Sequence, residues 1–122
     1  MAIKLVFCCR RKPDSSRAEF QKYWLESHGP LVRRLRAALP QMRRYVQSHT
    51  LDSPVNDAIR AGRRSGEAFD GITEVWFDSL ESMGASSTQE AADAGRRLLE
   101  DESRFIDFAA SSVFVTEEHE IF

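Results

Sequence analysis

The period of apolar and polar positions changes several times along the chain, and the changes mark its elements. Ile3 to Cys9 is an apolar run closed by Arg10-Arg11-Lys12-Pro13, which predicts a first strand. Asp14-Ser15-Ser16 follows, and Glu19 stands three residues after Ser16, the spacing of a capping box. From Arg17 to Leu39 the residues Phe20, Trp24, Leu31, Leu35 and Ala38 recur at the helical period. Gly29-Pro30 interrupts that helix. Proline has no N–H and its ring crowds the preceding turn, so a kink or a fresh start is expected there. Pro40 closes the helix, and Gln41 to Thr50 predicts a second strand centred on Tyr45 and Val46. Arg43 and Arg44 argue against burial of that strand on both faces.

Leu51 to Phe69 is weakly patterned. Ser53-Pro54 can open a short helix through Ile59, with Ala61 to Gly66 as loop, and a connection this long in a small domain is expected to act as a lid or binding loop. Asp70-Gly71 turns into Ile72 to Phe77, the clearest strand of the chain. Asp78-Ser79 caps a short helix through Ala85, and Ser87 with Glu90 predicts a second capping box for a helix to Glu100. Asp101 restarts a helical turn through Phe108, and Ser112 to Thr116, extending toward Glu118, is the last strand. The order βαββαβ predicts an α+β, ferredoxin-like fold: one domain over residues 1–122, with a four-stranded antiparallel sheet and helices on one face. The other face needs a cover, and a second copy packed sheet to sheet supplies it, so a homodimer through the sheet faces is expected.

Composition narrows the class. The 122 residues are 42% hydrophobic and 30% charged with a net charge of −2, enough for one core and without the basic excess of a nucleic-acid binder. The two cysteines, Cys8 and Cys9, are adjacent, point to opposite faces of a strand and do not pair. With no signal-peptide pattern and no span-length apolar stretch, the expectation is a cytoplasmic protein away from membranes. Phosphate loops, nucleophile elbows and metal-ligand spacings are missing from the sequence, so neither a metal nor a cofactor is expected.

The candidate chemistry starts at His28. Phe20, Trp24 and His28 are spaced four and four, so the imidazole projects to the same side as two aromatics, toward the sheet, beside the break at Gly29-Pro30. An imidazole there can act as acid, base or hydrogen-bond donor; the alternative is a structural histidine that caps the broken helix. Tyr45, Gln47 and His49 share one face of the second strand, so Tyr45 and His49 join His28 if that face meets the helices. On the third strand Ile72, Glu74 and Trp76 share one face. Glu74 either pairs with an arginine of a neighbouring chain or orients His28, and Trp76 either forms an aromatic wall with Trp24 for a flat ligand or packs in the core.

Three stretches resemble the EthD-like family: Phe20-x-x-Tyr23-Trp24-x-x-x-His28-Gly29-Pro30-Leu31, Asp70-Gly71-Ile72-Thr73-Glu74-Val75-Trp76-Phe77-Asp78, and Asp101-Glu102-x-x-Phe105-Ile106-Asp107. The closing strand with Glu117 and Glu118 is similar too. The resemblance implies a dimeric α/β barrel, a fold shared with muconolactone isomerases and cofactor-independent quinone-forming monooxygenases. It carries the family histidine onto His28 and the acidic strand position onto Glu74. Leu51 to Phe69 lies outside it and is expected to shape substrate choice.

Two classes of function follow. In the first, an enzyme binds a small, flat, oxygenated hydrophobe, with His28 as the catalytic group and Trp24, Tyr45, His49, Glu74 and Trp76 around the substrate, for oxidation, isomerisation or decarboxylation. In the second, a non-catalytic module holds a metabolite or an accessory partner. Haem ligation through His28 is a third option, disfavoured by the short chain.

Overall fold

In the computed structural model, which describes residues 3–84 and 88–122, strand β1 (Ile3–Cys9) runs between two antiparallel neighbours, β3 (Gly71–Phe77) and β4 (Ser112–Glu117). β2 (Arg44–His49) pairs with the free side of β3, so the sheet order is β2-β3-β1-β4. This is the four-stranded antiparallel sheet of the ferredoxin-like plan. Register and alternation divide the faces. Ile3, Leu5, Phe7 and Cys9 stand opposite Phe77, Val75, Thr73 and Gly71 on the face the helices cover. Lys4, Val6, Glu74, Trp76 and Phe114 are on the bare face.

The first long helix begins at Ser16, whose hydroxyl accepts the N–H of Glu19 while the Glu19 carboxylate accepts the N–H of Ser16. It runs through α1 (Arg17–Tyr23), a π-helical turn (Trp24–His28), α2 (Gly29–Leu35) and a 3-10 turn (Arg36–Ala38). The break expected at Gly29-Pro30 takes the form of that wide turn, in which the N–H of Gly29 reaches back to the carbonyl of Trp24. Pro30 sits in the first turn of α2, where its missing N–H costs least.

Asp70, expected only to make a turn, is an anchor. Its buried carboxylate accepts the backbone N–H of Arg11 at 2.8 Å, the Arg11 guanidinium at 2.7 Å and the Arg17 guanidinium at 3.0 Å. Burial alone would raise its pKa; these donors outweigh it and hold the carboxyl below the usual range. The start of α1 is thereby tied to the entrance of β3. Next to it Gly71 leaves room for an indole: a Cβ there would stand 2.3 Å from Trp24 Cζ3.

Elsewhere three boundaries differ from the sequence reading. α3 (Pro54–Arg63) continues past Ile59, because Ala58, Ala61 and the Arg60–Asp57 pair at 3.2 Å outweigh the single Gly62, and it stops at Arg64 in the left-handed region (φ 50°). β2 is confined to Arg44–His49. α5 (Gln89–Phe105) is continuous through Asp101, whose side chain is taken by other helices' donors and does not compete for its own backbone. The short α4 (Leu80–Met83) is capped by Ser79; the expected capping box at Ser87 and the end of that helix at Ala85 lie outside the described residues, and α5 is capped by Thr88.

Two apolar clusters hold the layers, the first joining helices to the sheet through Cys9 and the second joining the first helix to α5. Cys9, Phe20, Trp24, Phe105 and Ile106 form one, and Leu31, Leu35, Leu39, Ala91 and Ala94 the other. Cys9 is fully buried and Cys8 half-buried; both are free thiols, and burial pushes the Cys9 thiol up to about 12. Among the described residues no helix is long and apolar enough to cross a membrane.

Candidate functional site

The π-helical turn presents Trp24 and His28 inward, and α5 crosses them with Asp101, Glu102 and Phe105. His28 is only 3% exposed. Its Nδ1–H donates to Oδ2 of Asp101 at 2.7 Å, and the Tyr23 hydroxyl donates to the other oxygen, Oδ1, at 2.6 Å. Burial works against the Asp101 carboxylate, but the bonds from Tyr23 and His28 more than offset it and keep its pKa below the usual value. The imidazole is pushed the other way: burial lowers its pKa beneath 6.5 despite the attraction of Asp101. Near neutral pH the ring is therefore uncharged, protonated on Nδ1, with a lone pair on Nε2. Phe105 packs on the ring with centroids 5.2 Å apart.

Nε2 faces a second carboxyl. Oε2 of Glu102 lies 3.9 Å away, and the Glu102 side chain makes no hydrogen bond to any described residue. Burial, with the Asp101 charge beside it, pushes Glu102 up to about 7. No role for Glu102 follows from its place in the sequence motif taken alone. A signal was present, since Leu98, Asp101, Glu102 and Phe105 share one side of a helix at spacings of three and four.

Trp24, His28, Tyr45 and Glu102 line a cavity of about 450 Å³ between the first helix, α5 and the sheet. Leu5, Phe7, Val75 and Leu98 make much of the remaining wall apolar, and the volume suits a small organic molecule. The Tyr45 hydroxyl accepts from Gln47 Nε2 at 3.3 Å, and burial raises its pKa.

His49 takes a different place. It stacks on Trp24 at 4.6 Å, 13° from parallel, and its Nε2–H donates to Oε1 of Gln47 at 2.8 Å. Gln47 Nε2 in turn donates to the Trp24 carbonyl at 2.9 Å. His49 supports the indole and is absent from the cavity wall. Glu74 and Trp76, expected around a substrate, are on the bare face of the sheet because Thr73, Val75 and Phe77 take the inward positions of the alternation. Glu74 pairs with Lys4 of its own chain at 2.7 Å, and the Trp76 Nε1–H donates to Glu118 at 2.8 Å. An aromatic wall of Trp24 and Trp76 is thus ruled out by the intervening sheet. Among the described residues no group of three or more His, Cys, Asp or Glu is placed to hold a metal ion.

Comparison with known proteins agrees with this geometry at the level of the fold. An EthD family protein from Bacillus halodurans C-125 superposes with a TM-score of 0.62 at 22% identity, covering 98% of this chain and 100% of its own. A dimeric ferredoxin-like protein of unknown function from Thermobifida fusca gives 0.62 at 14% identity, over 97% and 92% of the two chains. The hydroxynitrile lyase of Passiflora edulis gives 0.62 at 16% identity, over 99% and 96%. No curated protein matches. The EthD domain matches residues 12–109, a stretch that holds His28, Asp101 and Glu102 together, and the chain is accordingly a member of the EthD family.

Proposed function

We propose that the protein binds a flat, oxygenated, largely apolar small molecule in the cavity beside His28 and carries out acid–base chemistry on it. The observation that carries this reading is the imidazole itself. It is buried, held by Asp101 in one tautomer, and turned so that its basic nitrogen is on the side of Glu102, which lines an apolar cavity. A histidine that merely capped a helix end would have no need of an orienting carboxylate; this arrangement is that of a general base with its positioning group. Trp24 and Tyr45 supply an aromatic surface and a phenol for the ligand, and acid–base chemistry of this kind runs without a cofactor. The Passiflora edulis lyase, an enzyme of the same fold, supports a catalytic use of the scaffold.

The functional unit in this reading is a homodimer. Val6, Val46, Ile72 and Phe114 leave an apolar strip on the bare sheet face, and a second copy would cover it.

The test is native mass spectrometry and crystallography of protein purified without added ligand, followed by turnover of whatever is found in the cavity. Loss of turnover in His28→Gln with retained binding is the expected result. Full turnover by that variant would end the acid–base reading, and a bound compound released unchanged by the native protein would leave a binding module.

A further inference from the structure

The geometry points to Glu102 as a second catalytic group, acting with His28 as a proton-donating and proton-accepting pair on an enolisable ketone. The inference rests on the reading above of the cavity as the ligand site, and it narrows that reading to a redox-neutral enolisation.

Position is the first argument. Glu102 Oε2 and His28 Nε2 are 3.9 Å apart and both residues line the cavity, so one substrate can touch both. Bonding is the second. The oxygens of Asp101 are occupied by Tyr23 and His28, which makes it a positioning residue, whereas the Glu102 carboxyl has no hydrogen-bond partner among the described residues. The third is charge state. The groups facing Glu102 are His28 and, behind it, Tyr23 from the first helix, Asp101 from α5, Cys9 from β1 and Tyr45 from β2. Cys9 and Tyr45 are pushed upward by burial and stay neutral near pH 7, so burial of Glu102 itself, with Asp101 as the neighbouring anion, favours its protonated form. A neutral imidazole beside a carboxylic acid is the combination that enolisation needs.

The step balances within the site. Nε2 of His28 takes the α-proton of the ketone as that C–H bond breaks, and its electron pair becomes the C=C bond of the enol. The carbonyl oxygen takes the proton of Glu102. Imidazolium and carboxylate remain side by side, and a proton passing from the first to the second restores the pair. Return of the proton to a different carbon would complete an isomerisation with no oxidant or reductant.

The probe is 2-tetralone, a neutral benzo-fused cyclic ketone. Its binding is followed by ligand-observed NMR, and its exchange of α-hydrogen for deuterium in buffered D₂O by loss of the proton signal. The native protein is expected to speed exchange over buffer. His28→Gln and Glu102→Gln should each lower that acceleration by about 100-fold, within the usual worth of a general acid or base, with binding changed less than about twofold. The rate should fall below the lowered pKa of His28, where the base is protonated, and above about 7, where Glu102 ionises; Glu102→Gln should abolish the alkaline limb. Exchange by Glu102→Gln at the native rate, with His28→Gln inactive, overturns the role of Glu102 and leaves His28 as sole base. Binding without exchange in the native protein overturns enolisation and leaves the cavity as a ligand site. Neither binding nor exchange overturns the inference together with its ligand class.

Discussion

His28 and Asp101, 73 residues apart in the chain, share one hydrogen bond of 2.7 Å, and that bond decides which nitrogen of the imidazole faces the cavity. Replacing Asp101 by Asn offers the ring an amide that can accept or donate, and it leaves Tyr23 and His28 without their charged acceptor. Asp101→Asn should lose about 2 kcal/mol of stability, the usual worth of hydrogen bonds to a charged group, read as a lower urea midpoint. Nitrogen NMR of labelled histidine should show His28 shifting toward a mixture of tautomers, and the same substitution should draw the Glu102 pKa downward by removing the neighbouring charge.

Glu102 links stability to pH with a sign opposite to most carboxylates. Its pKa is raised from 4.5 when unfolded to about 7 when folded, so the folded state holds a proton that the unfolded state has released. The favourable contribution is fully present below 4.5 and is lost as pH rises through about 7. At about 1.4 kcal/mol per unit, the contribution is on the order of 3 kcal/mol. His28, with its pKa lowered, opposes this trend on the acid side, gaining stability as pH rises toward 6.5. Urea unfolding of the native protein and Glu102→Gln from pH 5 to 8 separates the two: the variant should gain on the native protein as pH increases. Parallel curves would refute the assignment.

Gly71 is held by space, since its φ is not positive. Gly71→Ala would push a methyl against the Trp24 ring at 2.3 and 2.7 Å and against the Ser48 carbonyl at 2.8 Å. Overpacking of this kind costs about 1–3 kcal/mol. The expected signs are a lower melting temperature and altered tryptophan fluorescence, because the Trp24–His49 stack must open.

The bare sheet face offers a test of assembly. Phe114→Glu places a charge in the apolar strip opposite Val6 without touching the cavity wall. Light scattering should show dimers of the native protein and monomers of the variant with an unchanged far-ultraviolet spectrum. Monomeric native protein at micromolar concentration would contradict the homodimer.

Much of this was legible in the sequence because it is local. The four-residue spacing of Phe20, Trp24 and His28 fixes a helix face, and strand alternation already separates Thr73, Val75 and Phe77 from Glu74 and Trp76. What alternation alone does not say is which of the two sets meets the helices. Glu74 is an acid amid apolar neighbours, and Lys4 on the adjoining strand accounts for it. The pairing of His28 with Asp101 and Glu102 depends on how α5 crosses the first helix, a tertiary choice that no spacing within either helix records. α3 outran its expected end because the helix tendency of Ala58 and Ala61 prevailed where no core packing signalled its length.

The π-helical turn at Trp24–His28 has a consequence for how this helix can change. Such a turn holds one residue more than the α-turn it replaces, so Phe20 and Leu31 are out of phase by about 100°, the rotation of a single residue. Point substitutions along Leu25-Glu26-Ser27 leave that phase intact and are expected to be tolerated, whereas losing one of the three would swing either His28 or the Leu31–Leu35 seam away from its partner. Residue count, more than residue identity, is the quantity this stretch fixes mechanically, and any effort to regularise the helix would displace either the histidine from its cavity or that seam from α5.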